Sequence, residues 1–221
     1  MNNKKLYPDS SVEISGIMAT QYEKLLNILT LGTYSIFISH VIKKMKIRPD
    51  DKIIDFGAGN GYNACKMRKY LSDEGEITGL DIGEDMIKTF RKKCAGYKNV
   101  RIVKRRIDIP LPEEYTGKFD RAFISFVLHG LPHDSRLKVI ENASKALKEG
   151  GNFFILDYNE FKIEEIPFYK RKVFEFIECP YAFGYIKHDW KKILSENGFG
   201  NFEEHFYFLN MVRLLRATKI K

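Results

Sequence analysis

The chain has 221 residues, of which 44% are hydrophobic and 30% are charged, and its formal net charge is +8. This length is enough for one domain with a full core, whereas two complete domains would be cramped. No apolar run approaches the roughly 20 residues that cross a bilayer, and the start MNNKKLYPDS lacks the apolar core of a signal peptide. We therefore expect a single cytoplasmic domain over residues 1–221.

The basic surplus is spread along the chain. Lysines and glutamates are interspersed, which is typical of solvated faces. Short basic runs occur at residues 43–48, 104–106 and 170–172, and they suit peripheral contact with anionic lipid or an acidic substrate. No motif that reads nucleic acid accompanies them, so the charge alone does not predict a nucleic-acid partner.

Cysteines and most histidines show no metal-binding pattern. Cys65, Cys94 and Cys179 are widely separated and lack CxxC spacing, so we predict three buried thiols and neither a zinc site nor a disulfide framework. Three dispersed histidines lack the spacing of metal ligands and are expected to be structural: His40, His188 and His205. We therefore predict no metal.

From Lys52 onward the sequence alternates strands and helices, which predicts a parallel sheet covered on both faces. Pro110 and Pro112 follow the third strand, and Gly96 ends the second helix. The predicted strands are 52–57, 76–82, 99–109, 119–128 and 151–159, and the predicted helices between them are 61–73, 84–96 and 132–150.

Both ends of the chain differ from this core. Residues 15–46 predict two amphipathic helices divided by Gly32, and the tail predicts a helix followed by two antiparallel strands joined through Asn210. We therefore divide the single domain into four parts. They are an N-terminal helical cap (1–48), a cofactor-binding core (49–160), a substrate lid (161–187) and a C-terminal helix with a strand pair (188–221).

The stretch IIDFGAGNGYN, Ile53–Asn63, predicts a strand that turns sharply into a helix. Its glycines let the backbone approach a ligand closely. A dinucleotide site needs GxGxxG, and here the third glycine comes one residue early, which ranks an NAD-dependent oxidoreductase last. Asp55 would repel a pyrophosphate but attract an ammonium or a sulfonium. S-adenosylmethionine carries both of these cations.

Two further aspartates follow the next two predicted strands. Asp81 ends the second strand, where a carboxylate can accept hydrogen bonds from both ribose hydroxyls. Asp108 follows the third and is placed to meet an adenine amino group, with Ile109 on the ring face. Binding crevices of open α/β sheets lie at these strand ends, so the three aspartates predict an adenosyl site.

Five stretches occur in one order between Lys52 and Tyr158: IIDFGAGNG, ITGLDIGEDMI, RIDIP, FDRAFISFVLHGLPH and LKEGGNFFILDYN. With them the chain resembles a class I S-adenosylmethionine-dependent methyltransferase. The resemblance implies a Rossmann-like α/β fold, with helices on both faces of a seven-stranded, mostly parallel sheet whose last strand is antiparallel. It also implies S-adenosyl-L-methionine as the cofactor.

The same resemblance implies contacts with the cofactor. Gly57, Gly59 and Gly61 would border the methionine part, Asp81 the ribose and Asp108 the adenine. Further implied contacts are Asp55, Ala58, Ile82, Met86, Ile109 and Ser125. The stretch QYEKLLNILTLGTY is similar to the opening of ubiquinone and menaquinone biosynthesis C-methyltransferases, in which an N-terminal helix closes over the cofactor. By that likeness Tyr22 or Tyr34 would reach the methionine carboxylate.

Methyl transfer is an in-line displacement, so the protein mainly aligns the nucleophile and excludes water. A base is needed only when the nucleophile must lose a proton. His129, after the fourth strand, is the first candidate for a base or polar contact on the lip of the site, and the alternative is a capping histidine. Asp157, which ends the fifth strand, either touches substrate or anchors a loop. His133 is a weaker candidate on the following helix.

The stretch IPFYKRKVFEFIECPYAFGY, residues 166–185, is rich in aromatic side chains. It suits a lid over an apolar or aromatic substrate, although ordinary helix packing would give the same pattern. We therefore expect a methyltransferase for a small hydrophobic or aromatic acceptor, such as a quinone or lipid precursor. The alternatives are an RNA or protein methyltransferase that uses the basic surface, and a non-catalytic S-adenosylmethionine-binding module.

Overall fold

The computed structural model describes Ser10 and residues 33–221. The described strands are β1 Lys52–Phe56, β2 Glu76–Asp81, β3 Val100–Lys104, β4 Phe119–Ser125, β5 Leu147–Tyr158, β6 Phe199–Tyr207 and β7 Val212–Lys219. The described α-helices are α1 Thr33–Lys44, α2 Tyr62–Met67, α3 Glu84–Cys94, α4 His133–Ala146, α5 Phe168–Ile177, α6 Pro180–Tyr185 and α7 Trp190–Glu196. Short 3-10 helices span Arg68–Tyr70, Glu113–Tyr115 and Leu128–Gly130.

The seven strands form one sheet in the order β3-β2-β1-β4-β5-β7-β6. Strands β1 to β5 pair in parallel, whereas β7 runs antiparallel to both of its neighbours, β5 and β6. The predicted fold class is therefore confirmed. The predicted antiparallel pair lies at one edge of the sheet, where β7 is hydrogen-bonded to β5 and β6 is the outermost strand.

Helices cover both faces of this sheet. Ile53 and Ile54 are fully buried neighbours in β1, and they point into different core clusters because successive side chains of a strand face opposite sides. Ile53 packs with residues of α1 to α3, and Ile54 packs with residues of α4, α6 and α7. The carboxyl ends of the parallel strands therefore emerge between two helical layers.

Several predicted elements end early, and the third strand is the clearest case. It stops at Lys104, and the following loop is held by the Asn142 side chain, whose amide donates to the carbonyls of Ile107 and Ile109 at 2.8 and 2.7 Å. The alternating pattern RIDI therefore belongs to a pinned loop. The first core helix is also shorter than predicted, because α2 gives way to a 3-10 turn after Met67.

The fourth and fifth strands also have different limits from the prediction. Strand β4 ends at Ser125 because Phe126 has a φ of +53°, a left-handed conformation that a strand cannot continue. Strand β5 begins at Leu147, directly after α4, and so includes Gly150, the last residue of the predicted helix 132–150. The first change lengthens the connection that follows β4, and the second leaves no loop between α4 and β5.

The ends of the described chain agree in outline with the prediction. Helix α1 corresponds to the second predicted amphipathic segment, and the first lies outside the described residues. In the turn between β6 and β7, three residues adopt a left-handed conformation: Phe208, Leu209 and Asn210. Among the helices that the structure describes, none has the length and apolar character needed to cross a membrane.

Candidate active site

The candidate crevice opens where the strand order reverses, between the carboxyl ends of β1 and β4. The chain leaves β1 in a turn whose first amides, Gly57 and Ala58, both donate to the carbonyl of Leu80 in β2, at 2.8 and 2.9 Å. Gly57 has a φ of +73°, and a Cβ there would lie 2.7 Å from Val127 Cγ2. The residue must be glycine because the loop after β4 packs directly on it.

Gly59 faces open space. Its φ is +55°, and apart from its chain neighbours no described atom lies within 4 Å of the position that a Cβ would take. The Gly59 amide donates to Asp81 Oδ2 at 2.7 Å, so the turn is tied to the end of β2. The structure therefore contains an open cradle at the middle glycine, where the sequence predicts the methionine part of the cofactor.

Asp55 is the penultimate residue of β1, the strand that leads into this turn. Asp55 is 1% exposed, and neither of its carboxylate oxygens has a hydrogen-bond partner among the described residues. Burial, with a smaller contribution from the charge of Asp81, raises the pKa of Asp55 to about 8. A buried carboxyl group without a partner is costly, and a cationic ligand would supply the missing charge.

Asp81 is the second acidic group of the crevice. Its Oδ2 accepts from Gly59 and its Oδ1 accepts from the Gly83 amide at 2.8 Å. Burial raises the pKa of Asp81 although these backbone hydrogen bonds oppose the change. A carboxylate has about four acceptor positions, so Asp81 retains capacity for two hydroxyl donors. Half-buried Ile82 and buried Met86 lie just after it.

The third predicted aspartate has a different setting. Asp108 does not end a strand but lies four residues beyond β3, and it is buried. Arg106 donates to both of its oxygens at 2.9 Å, and the Ser135 hydroxyl donates to Oδ2 at 3.0 Å. Ile109, the next residue, is 36% exposed. Asp108 is thus engaged within the protein, while Ile109 offers apolar surface.

His129, the predicted base or polar contact, follows β4 and is buried at 8% exposure. Its Nδ1 lies 2.7 Å from Asp157 Oδ1, and its backbone amide donates to Asp157 Oδ2 at 3.2 Å. Asp157 is likewise buried, at 1% exposure. Burial lowers the pKa of His129, but the charges of Asp157 and Glu178 outweigh it and the pKa is raised overall.

Glu178 completes this buried group, and no sequence motif indicated it. Its Oε2 lies 3.5 Å from His129 Nε2, and its Oε1 accepts from the Tyr158 hydroxyl at 2.5 Å. The Arg136 guanidinium donates to the carbonyls of Leu128, His129 and Tyr181, at 2.9, 2.9 and 2.6 Å. These bonds fix the His129 turn against the segment predicted to be a lid.

The aromatic residues of that segment divide between core and surface. Phe174 is buried, with its ring centroid 5.1 Å from Tyr158 and 5.3 Å from Phe183. Tyr185 is buried against Trp190 at 4.5 Å, whereas Phe168 is exposed. Part of the aromatic pattern is therefore ordinary packing. A surface cavity of about 630 Å³ adjoins the segment beside Phe161, Ile163 and Ile186.

The other predicted residues are distributed as follows. Tyr22 lies outside the described residues, whereas the Tyr34 ring stacks on Tyr62 with centroids 6.0 Å apart. Ser125 is half-buried at the end of β4, and Ala58 is buried within the glycine turn. His133 begins α4 and stacks on His188, with ring centroids 4.2 Å apart, so it is tied to a different cluster from His129.

The chain was compared with known proteins. The sequence profile of a family described as "Methyltransferase domain" matches residues 47–198. Demethylmenaquinone methyltransferases of Staphylococcus aureus strains JH9 and Newman are each 26% identical to the chain over 144 residues, which cover 65% of this chain and 58% of the relative. The matched part of this chain thus spans 58% of the length of these relatives.

Solved structures share the fold. A SAM dependent methyltransferase from Aquifex aeolicus has a TM-score of 0.60 and 20% identity, over 83% of this chain and 89% of that one. The CurJ carbon methyltransferase has a TM-score of 0.63 and 18% identity, over 85% and 54% of the two chains. The profile match covers more than half of the chain. The chain therefore belongs to the methyltransferase domain family, and it shares its fold with these solved methyltransferases.

Proposed function

We propose that the protein transfers a methyl group from S-adenosylmethionine to a small hydrophobic or aromatic acceptor. The observation that carries this proposal is the buried carboxyl group of Asp55, for which the described residues supply no hydrogen-bond partner, together with the space that they leave at Gly59. When bound, S-adenosylmethionine supplies a methyl group activated by a sulfonium. The residues of the crevice fit a ligand that is cationic at one end and carries hydroxyl donors further along.

Each part of the crevice has a proposed role in holding the cofactor. Asp55 balances the positive charge of the methionine part, and the open cradle at Gly59 admits it. Asp81 accepts hydrogen bonds from the ribose hydroxyls with the lone pairs that are not used by the Gly59 and Gly83 amides. Around these two aspartates we propose further contacts from Gly57, Ala58, Gly61, Ile82, Met86, Ile109 and Ser125. Asp108 acts near the adenine through the loop that it fixes with Arg106.

The N-terminal part of the chain is proposed to close the crevice. Tyr34 stacks on Tyr62, the first residue of α2, and so stands beside the glycine turn. Ser10 donates to the carbonyl of Gly130 at 2.6 Å, so this residue lies against the loop that carries His129. These two contacts support a cap over residues 1–48. Tyr22 remains a proposed contact from within that cap.

We assign proton handling to His129. The 2.7 Å contact with Asp157 fixes the imidazole through Nδ1 and leaves Nε2 as the proton acceptor. At 3.5 Å the approach of Glu178 to Nε2 is too long for a good hydrogen bond, so Nε2 is still able to accept a proton. Glu178 then stabilises the imidazolium. This arrangement suits an acceptor that must lose a proton, such as a phenol or an enol.

The acceptor class rests on two observations. Aromatic rings adjoin the buried group, since the Tyr158 ring centroid lies 5.1 Å from both His129 and Phe174. The relatives from Staphylococcus aureus are named for demethylmenaquinone, although their identity of 26% makes this only a pointer to a quinone-like acceptor. Glu178 and Phe174 belong to residues 161–187, which we propose as the segment that covers the acceptor. Basic residues of that segment, Arg171 and Lys172, are exposed and suit an anionic contact.

The test is calorimetric titration with S-adenosylmethionine, followed by assays of S-adenosylhomocysteine release with hydroquinones as acceptors. We expect Asp81→Ala to weaken cofactor binding about 10- to 100-fold, because hydrogen bonds to a charged group are lost. Asp73→Ala is the matched control, since Asp73 is fully exposed on a loop near Arg68. Unchanged affinity in Asp81→Ala would contradict the ribose role. Release with RNA or protein substrates, but not with hydroquinones, would contradict the acceptor class.

A further inference from the structure

Two cysteines that are far apart in the sequence meet beneath the glycine turn. Their sulfur atoms are 3.0 Å apart, although 29 positions separate Cys65 from Cys94. Cys65 lies in α2 and is half-buried, whereas Cys94 ends α3 and is 4% exposed. All three cysteines are thiols, and Cys94 and Cys179 are buried as predicted, whereas Cys65 is half-buried. Cys179 lies elsewhere, just before α6.

We propose that Cys65 and Cys94 form a reversible disulfide whose formation weakens cofactor binding. A disulfide needs a sulfur–sulfur distance of about 2.05 Å, so the two atoms must approach by only about 1 Å. The site takes low-molecular-weight disulfides, such as oxidised glutathione, as its oxidant. Because the sulfur atoms already touch, no large rearrangement of the helices is required.

The exchange follows from the different exposure of the two thiols. The hydrogen bond with Cys65 and burial raise the pKa of Cys94, so Cys65 supplies the first thiolate. Its sulfur attacks oxidised glutathione, forms a mixed disulfide and releases one glutathione thiolate, which takes up the proton of Cys94. Cys94 then attacks the Cys65 sulfur and displaces the second glutathione thiolate, which is protonated by water. Two protein thiols are oxidised as one glutathione disulfide is reduced to two thiols.

The pair is joined directly to the glycine turn. The backbone amide of Cys65 donates to the carbonyl of Gly61 at 2.9 Å. A Cβ at Gly61 would lie 3.3 Å from Cys94 Sγ and 2.9 Å from the Phe90 ring, so the turn rests against the second cysteine. Drawing the sulfur atoms together therefore shifts Cys65, which is bonded to the turn, relative to Cys94, which packs against it. We expect this displacement to disturb the cradle at Gly59.

The first measurement tests the disulfide itself. The protein is equilibrated with oxidised glutathione, trapped with N-ethylmaleimide, digested without reductant and analysed by mass spectrometry. We expect a peptide that links Cys65 to Cys94 and disappears on reduction. Cys65→Ser and Cys94→Ser should each abolish it, and Cys179→Ser should retain it. Absence of the linked peptide from the oxidised wild-type protein would overturn the proposal. If Cys94→Ser does not fold, Cys65→Ser alone decides.

The second measurement tests the coupling, which rests on the cofactor binding proposed above. Calorimetry with S-adenosylmethionine should show several-fold weaker binding to the oxidised protein, restored by reduction, and no effect of oxidant on Cys65→Ser. A linked peptide with unchanged affinity would overturn the coupling. Failure of the reduced protein to bind would instead contradict the proposed function, while the linked peptide would still report the disulfide.

Discussion

Asp55 and Asp81 lie near the carboxyl ends of neighbouring parallel strands, and burial together with the charge of Asp81 raises the pKa of Asp55 to about 8. Two carboxyl groups at one strand edge are unfavourable in the protein alone. Asp81 is partly compensated by two backbone amides, whereas Asp55 has no hydrogen-bond partner among the described residues. We propose that a cationic ligand relieves the cost of this arrangement.

Replacing Asp55 by asparagine should stabilise the free protein at alkaline pH. The folded-state pKa of about 8 lies above the ordinary value of 3.8, so the folded protein binds the extra proton. The stability contributed by Asp55 is complete below the ordinary pKa and is lost as pH rises toward 8. Asp55→Asn removes this titration.

Thermal unfolding followed by circular dichroism from pH 5 to about pH 9 measures the effect. The variant should show a higher melting temperature than the wild type near the upper limit and a flatter pH dependence, while its affinity for S-adenosylmethionine falls. Asp73→Asn is the control. If the melting temperatures of the wild type and of Asp55→Asn changed identically between pH 6 and about pH 8, the assigned pKa would be ruled out.

The glycines of the turn should respond differently to alanine. Gly57→Ala and Gly59→Ala both place a side chain at positive φ, which costs about 1–2 kcal/mol. Only Gly57 also places the new Cβ 2.7 Å from Val127, so Gly57→Ala should be the less stable variant. Gly59→Ala should fold and lose cofactor affinity, because its methyl group enters the open cradle. Chemical denaturation and calorimetry separate the two effects, and full affinity in Gly59→Ala would place the ligand elsewhere.

His129→Asn should lower kcat while cofactor affinity stays near that of the wild type. The raised pKa of His129 predicts that kcat increases with pH above the ordinary value of 6.5, as the imidazole becomes neutral. Asp157→Asn removes the stabilising charge and should shift this profile to lower pH. Profiles of kcat against pH for the three proteins give the readout. A wild-type profile that is flat from pH 6 to about pH 9 would exclude a proton-accepting role.

Glu178→Gln should distinguish the effect of the Glu178 charge on His129 from the contribution of this side chain to packing. The amide still accepts from the Tyr158 hydroxyl but carries no charge beside His129 Nε2. We expect unchanged thermal stability and a pH profile of kcat displaced to lower pH, because the imidazolium loses one stabilising charge. Glu175→Gln is the control, since Glu175 pairs with Arg171 and Lys172 on the outer side of α5. An equal displacement in both variants would contradict the local role.

Sequence patterns predicted the sheet, the glycine turn and the placement of Asp55 and Asp81, because these depend on local periodicity and on residues adjacent to strand ends. They did not predict the partners of His129 and Asp108. Asp157 lies 28 positions from His129, and Ser135 lies 27 positions from Asp108, so these contacts depend on how separate loops pack. The left-handed conformation of Phe126 and the contact between Cys65 and Cys94 likewise depend on how separate parts of the chain pack.

Proton release during cofactor binding tests the role of Asp55 most directly. Calorimetric titrations with S-adenosylmethionine at pH 7, in buffers that differ in ionisation enthalpy, count the protons exchanged. Because the neutral Asp55 must ionise beside a cation, the wild type should release about one proton more than Asp55→Asn. Equal proton counts and equal affinities in the two proteins would show that the cofactor does not bind against this carboxyl group.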